Sequence, residues 1–161
     1  MLSAKFSSVA IQIKPTRYGS AVAQKLIAEL MADLVTRYGE PDSTPVAGVE
    51  FDPPDGGFLV AYLDGQPVGC GAWRSWGRSP DIAEVKRVFV RAPVRKMGLA
   101  RGIMAALEED ARAHDRKRII LETGTGQPEA ISLYESLGYE RIPNFGYYKD
   151  EPGARCFAKT L

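Results

Sequence analysis

The stretch Glu84-Val85-Lys86-Arg87-Val88-Phe89-Val90, followed after a short loop by Arg95-Lys96-Met97-Gly98-Leu99-Ala100-Arg101-Gly102, constrains this chain more than any other part of it. Its first half reads as a strand, rich in β-branched and aromatic residues. The basic and small residues that follow read as a turn, and from Leu99 the apolar positions recur at helical spacing. That order puts a helix N-terminus at the turn. Such an end leaves four amide N–H groups without intrahelical partners and carries roughly half a positive charge, so it attracts anions. Gly98 and Ala100 keep the approach to those amides clear, while Arg95 and Arg101 add cationic side chains. A diphosphate is the natural guest.

Length and composition narrow the field. A chain of 161 residues is expected to form a single domain spanning 1–161, large enough to bury most of its apolar surface. Its 21 basic and 20 acidic residues leave a net charge of +1, so no global field draws in nucleic acid or an anionic membrane. Cys70 and Cys156 lie far apart without Cys-x-x-Cys spacing, and His114 is the only histidine. A disulfide framework and a His-rich metal site are therefore not expected. The first residues lack the apolar core of a signal peptide, and no apolar run reaches the roughly 18 residues of a membrane span. The cytoplasm is the expected compartment.

Along the chain, residues 9–13 alternate like a short strand. Residues 20–38 put Val22, Leu26, Ile27, Leu30, Met31, Leu34 and Val35 on one helical stripe, stopped by Gly39-Glu40-Pro41. Residues 42–57 read as a long loop. Residues 58–63 and 67–76 form a hairpin around Asp64-Gly65, a pair suited to a type I′ turn, and Gly69 and Gly71 suggest a bulge. A strand over 81–90 precedes the turn. A helix over 99–114 follows it, with Ile103, Ala106, Leu107 and Ala111 inward and Glu108, Glu109, Asp110 and Arg112 outward. A strand over 118–122, a helix over 128–137 closed by Gly138, and strands over 139–142 and 155–160 complete the pattern. This predicts an α/β or α+β domain with a mixed sheet.

The spacing Arg-x-x-Gly-x-Ala after a strand of the type Glu-Val-Lys-Arg-Val-Phe-Val resembles the acetyl-CoA signature of the GNAT superfamily of N-acetyltransferases. The likeness continues in TGTGQPEAISLYESLGY, residues 123–139, where a helix carrying Ala-x-x-Leu-Tyr ends in Leu-Gly-Tyr. There are departures: Met97 stands where the family often has a cation, Ala100 where it has a last glycine, and Gln127 where it commonly has Asn. The resemblance implies a partly splayed central sheet flanked by helices, with acetyl-CoA in the gap. It implies that amides from Arg95, Lys96, Met97, Gly98, Leu99, Ala100 and Arg101 hold the CoA diphosphate, with Arg95 the leading side-chain contact. Val88, Phe89 and Val90 match the segment that pairs with the pantetheine arm, Val88 N–H polarising the thioester carbonyl. Gln127 matches a polar position that bonds the same arm.

The implied reaction moves acetyl to a primary amine of a small molecule or peptide by direct attack, with no covalent acyl-enzyme. An ammonium has no lone pair, so a base must first remove a proton. Strand alternation puts Glu84 on the face of Val88 and Val90, and the family places a base at this offset; the competing reading is a carboxylate paired with Lys86 or Arg87. Tyr134 matches the tyrosine that assists the departing thiolate, the competing reading being packing against the sheet. Glu122, at the carboxyl end of its strand, is the rival carboxylate or an ammonium-binding group; its competing role is a cap for 123–127. Phe145, Tyr147 and Tyr148 form an aromatic cluster that walls the acceptor pocket or packs on the core. Trp73 and Trp76 read as packing residues, Cys156 as a strand residue and His114 as a complement to its helix dipole. A homodimer is allowed, and a metal is not expected. A catalytically silent acyl-CoA-binding sensor is the alternative. A dinucleotide-binding oxidoreductase is disfavoured, because no Gly-x-Gly-x-x-Gly follows the first strand.

Overall fold

The computed structural model describes residues 10–161. Strand β1 (Ile11–Pro15) leads to helix α1 (Ala21–Tyr38), then a 3-10 turn (Gly48–Phe51). The hairpin β2 (Gly56–Leu63) and β3 (Gln66–Ser75) precedes β4 (Ile82–Val90), a second 3-10 turn (Ala92–Val94) and α2 (Leu99–Ala113). Strand β5 (Arg118–Gly124), helix α3 (Pro128–Ser136), β6 (Glu140–Ile142) and β7 (Ala154–Thr160) follow. Val9, the start of the expected first strand, lies outside the described residues.

Local chemistry sets the boundaries. Ser20 Oγ accepts from Ala23 N–H at 3.3 Å, capping α1, and Gly39 closes it in the left-handed conformation at φ +84°. Asp64 and Gly65 both adopt positive φ, as a type I′ turn requires. The expected long loop over 42–57 is shorter than the composition suggests. Gly48 to Phe51 wind into the 3-10 turn, Phe51 is buried against the ring of Tyr18, and Gly56 and Gly57 already belong to β2.

The seven strands of the described residues form one sheet in the order β1-β2-β3-β4-β5-β7-β6, every pair antiparallel except β4 with β5. This is the expected mixed α/β architecture. Helix α1 covers one face through Ala23, Leu26, Ile27 and Leu30, which pack with Phe51, Phe58, Val60, Cys70, Ala72 and Phe89. Val35, expected on that stripe, is exposed. Helices α2 and α3 cover the other face, where Ile103, Met104 and Leu107 meet Trp73, Val85, Leu121 and Tyr134. Burying each such large side chain contributes about 1.5–3 kcal/mol.

Two expectations about these elements are corrected. Glu108 is buried in α2 rather than outward, because it accepts from Tyr139 Oη at 2.8 Å and from Lys159 Nζ at 3.1 Å. The bulge expected at Gly69 and Gly71 is present only beside Gly69, where β3 carries Val68 as an extra residue against β2; opposite Gly71 the extra residue lies in β4. Gly71 is small for another reason: a Cβ there would sit 2.6 Å from Ile103 Cγ2 and 2.8 Å from Leu107 Cδ1.

Candidate active site

The site begins with one residue too many. Between the pairs Ala72–Lys86 and Cys70–Phe89, β4 advances three residues while β3 advances two. Arg87 absorbs the excess at φ +63°, a conformation that costs a non-glycine residue of order 1–3 kcal/mol. On its other side β4 pairs with β5 only from Ile82–Arg118 to Val85–Leu121. Strand β5 then continues along β7 as far as Gly124–Ala154. Among the described residues, no strand lies beside the edge of β4 facing β5 from Lys86 to Val90. The sheet is splayed there, as expected.

The bulge also shifts the phase of the side chains. Lys86 and Arg87, neighbours in sequence, both reach Asp42. Val88 and Val90 then join the core cluster of α2, whereas Phe89 joins that of α1. Glu84 instead bonds Arg74, whose guanidinium lies over Phe51 in the α1 cluster. The expectation that Glu84 shares a face with Val88 and Val90 is therefore wrong, because simple alternation ends at Arg87.

The loop entering α2 meets the demands of an anion site. Lys96 (φ +68°) and Gly98 (φ +81°) turn the chain, and Lys96, Met97 and Gly98 are exposed. Among the described residues, nothing accepts a hydrogen bond from the amides of Lys96, Met97, Gly98, Leu99, Ala100 or Arg101. Six consecutive free donors at a helix N-terminus suit a diphosphate. Both arginines of the loop have partners within the protein. Arg95 is turned inward, donating from Nε to Val90 carbonyl at 2.8 Å and pairing with Asp33 at 3.4 Å. Arg101 donates to Ser136 Oγ at 2.8 Å, tying the loop to α3.

Where β4 leaves β5, a cavity of about 390 Å³ opens, lined by Val85 to Val88, Glu122 to Thr125, Gln127 and Tyr134. Tyr134 is buried against Tyr139 and Phe157, and burial pushes its hydroxyl up to about 12. No hydrogen bond reaches that hydroxyl among the described residues. Gln127 Oε1 accepts from Tyr38 Oη at 3.2 Å, so the end of α1 is tied to the start of α3. A second cavity of about 330 Å³ adjoins on the side of Trp76, Phe145, Gly146 and Tyr147. Trp76 and Phe145 meet edge to face with centroids 4.9 Å apart. Lys86 and Glu122 line both cavities.

The two candidate carboxylates differ sharply. Glu84 is buried and held by Arg74 Nε at 2.9 Å, with Arg74 also 3.3 Å from Glu50; its partner is neither Lys86 nor Arg87. Glu122 lies within β5 rather than at its end, and among the described residues it has no ion pair. Burial pushes its carboxyl up to about 7; Lys86 opposes this, and Asp42 and Glu84 add to it. Asp42 goes the other way. Burial alone would raise it, but Lys86, Thr44 and Arg87 outweigh that and hold it at about 2.

Sequence did not assign Asp42, Arg74, Lys86, Arg87 or Trp76 to the site; Trp76 read as a packing residue, and Lys86 and Arg87 only as partners for Glu84. Only Lys86-Arg87 carried a signal, two adjacent cations inside a strand whose one other charged residue is Glu84. Asp42 sits in a loop, Arg74 and Trp76 in a hairpin, and only tertiary pairing brings them together.

A splayed sheet edge with a cavity beside it, and six amides without partners among the described residues at a helix start, suit a long amide-bearing arm ending in a diphosphate. Acyl-CoA has that shape. Comparison with known proteins agrees: the acetyltransferase (GNAT) family profile matches residues 18–139, and the chain belongs to that family. It is 37% identical over 108 residues to the IAA acetyltransferase of Azospirillum brasilense, covering 67% of this chain and 70% of that one. It is 32% identical over 108 residues to the human N-acetylaspartate synthetase, covering 65% of this chain but only 35% of that protein. A crystal structure from Klebsiella pneumoniae, described as an acyl-CoA N-acyltransferase, superposes with a TM-score of 0.78 at 30% identity over 94% of this chain and 97% of that one. A GNAT acetyltransferase from Elizabethkingia anophelis with acetyl-CoA bound shares the fold, with a TM-score of 0.69 at 16% identity over 94% and 98% of the two chains. Membership makes acetyl-CoA the co-substrate and acyl transfer the class of reaction. Among the described residues no helix is long and apolar enough to cross a membrane.

Proposed function

We propose that this protein acetylates a primary amine of a small molecule or peptide by direct attack in a ternary complex, with Glu122 as general base and Tyr134 as proton donor. The observation that carries the reading is the pairing of these two groups on one cavity at the mouth of the strand gap. Acetyl-CoA brings a thioester, whose carbonyl is electrophilic and whose sulfur leaves as a thiolate. The amides from Lys96 to Arg101 bind its diphosphate, and the edge of β4 from Lys86 to Val90 aligns its arm, with Gln127 alongside.

Glu122 accepts a proton at its carboxylate from the acceptor ammonium, which frees the nitrogen lone pair. A carboxyl near 7 suits that work at neutral pH, since it is ionised often enough to act and basic enough to take the proton. Glu84 is the weaker candidate, because its buried carboxylate is already ion-paired to Arg74 through Oε1, whereas Glu122 has no ion pair among the described residues. Tyr134 keeps its proton at Oη, because burial disfavours the phenolate, and that proton is available to a departing thiolate. Phe145, Tyr147 and Trp76 wall the acceptor side.

Purified protein, acetyl-CoA and a panel of amines test the reading by thiol release. Turnover with any primary amine supports it. Tight CoA binding with no turnover across amino acids, polyamines, aminoglycosides and peptides would favour a silent acyl-CoA sensor instead.

A further inference from the structure

We propose that the acceptor amine carries a free carboxylate, held by Lys86 and Arg87 while Glu122 faces the amine; this rests on the acetyl-transfer reading above. The argument starts from charge. Arg74 is one cation shared by two carboxylates, Glu84 at 2.9 Å and Glu50 at 3.3 Å. Lys86 and Arg87 are two cations sharing one carboxylate oxygen, Oδ2 of Asp42. The other oxygen of Asp42 is taken by Thr44, whose N–H donates at 2.9 Å and whose hydroxyl donates at 2.6 Å. So carboxylates outnumber cations in the ion pairs of Arg74, and cations outnumber carboxylates in the ion pairs of Asp42; Glu40 and Glu151, which also line the larger cavity, are exposed and pair with neither Lys86 nor Arg87. Glu122 and Lys86 stand between, on the wall common to both cavities.

Unmet hydrogen bonds point the same way. The Nε of Arg87 is buried without an acceptor among the described residues, and the Arg87 side chain is 4% exposed. Thr123 Oγ1 is likewise buried and unpartnered, and both residues line the larger cavity. Buried donors of a permanently charged guanidinium are rarely left unmet, because desolvation without a partner is costly. Lys86 has three donors and, among the described residues, one anionic partner at 3.4 Å. The cluster is short of acceptor oxygens. A carboxylate supplies two, and an amine on the same molecule reaches the side where carboxylates outnumber cations. A polyamine brings only further positive charge beside Lys86 and Arg87, and a neutral amine leaves their excess unmatched.

The test compares matched acceptors. A series of α-, β- and γ-amino acids is assayed with acetyl-CoA, each beside its carboxamide and its decarboxylated amine. A charge-assisted contact predicts kcat/KM about 10- to 100-fold higher for the carboxylated member of the preferred set. The same panel is run with Lys86→Gln, and the ratio between carboxylate and carboxamide should shrink by about tenfold or more. Both rates come from one preparation, so partial misfolding cancels from the ratio. Carboxamides or decarboxylated amines used as well as the acids would overturn the proposal while leaving acetyl transfer intact. A ratio that Lys86→Gln does not move would also overturn it. Absence of turnover with every amine would sink both this proposal and the acetyl-transfer reading.

Discussion

Replacing Glu122 with Gln separates two consequences of its buried carboxyl, one on stability and one on rate. The side chain keeps its shape but can no longer ionise. Its pKa rises from an ordinary 4.5 to about 7 in the folded chain, chiefly through burial. At about 1.36 kcal/mol per pKa unit, the ionised form is disfavoured by up to about 3 kcal/mol. The folded chain therefore holds a proton that the unfolded chain has released between pH 4.5 and 7. The stability this provides is full below 4.5 and is lost as pH rises through 7. Glu122→Gln removes the penalty, so at pH 8 the variant should be more stable by about 2–3 kcal/mol, with the difference vanishing towards pH 4. Urea unfolding at several pH values measures it.

The rate should move the opposite way. A positioned base contributes roughly 10²- to 10⁴-fold, so the variant should lose that much in kcat/KM near neutrality. The wild-type profile should show an acidic limb near pH 7 that the variant lacks, leaving only the titration of the acceptor's own amine. Glu84→Gln is the contrast. It breaks a buried pair with Arg74 and should cost about 3–5 kcal/mol of stability at neutral pH. If Glu122→Gln keeps the acidic limb while Glu84→Gln loses it, the base is Glu84 and the inference from burial and pairing is refuted.

Tyr134→Phe should lower turnover by roughly 10²- to 10⁴-fold with CoA affinity nearly unchanged; near-normal turnover would return Tyr134 to a packing role. Gly98→Val should cripple CoA binding in calorimetry with the fold retained. A Cβ at position 98 meets no atom within 4 Å, so the effect reports the φ of +81° and the covered amides rather than a clash. Asp42→Asn should cost about 2 kcal/mol at pH 7, from a carboxyl lowered from 3.8 to about 2. That contribution is present above 3.8 and lost as pH falls towards 2, so acid unfolding should bring variant and wild type together.

What the sequence disclosed was local. Ser20 and Gly39 bracket α1, Asp64-Gly65 sets the hairpin, and the turn at Arg95 to Arg101 announces free amides, each because a single residue type meets a single backbone requirement. The site's electrostatics were hidden because they depend on pairs made across elements. Arg74 faces Glu84 through a strand register, and Asp42 reaches Lys86 and Arg87 from a loop more than forty residues earlier. The inward turn of Glu108 needed Tyr139 and Lys159, supplied by later segments. Nor could Arg95 be read as a loop anchor, since its acceptor is the backbone of Val90.

The most consequential hidden feature is the bulge, and it can be measured. Nothing in Lys86-Arg87-Val88 marks a left-handed residue, since positive φ is usually the province of glycine. Yet at Arg87 the outlier swings β4 from β5, sets two cations on one side and passes Val88 to the opposite core cluster. The strain is held by surrounding contacts: the guanidinium grips Asp42, and the Arg87 carbonyl accepts from Cys70 Sγ at 3.3 Å. Truncating Arg87 to Ala removes the grip and keeps the strain, whereas Arg87→Gly removes both. Both variants should fall below wild type in urea unfolding, with Arg87→Gly the more stable of the two by about 1 kcal/mol, even though glycine loses more entropy on folding. An Ala variant more stable than the Gly variant by about 0.5–1 kcal/mol, the entropic cost of glycine alone, would mean that position 87 carries no backbone strain. The splayed edge would then owe nothing to a conformation that only this packing enforces.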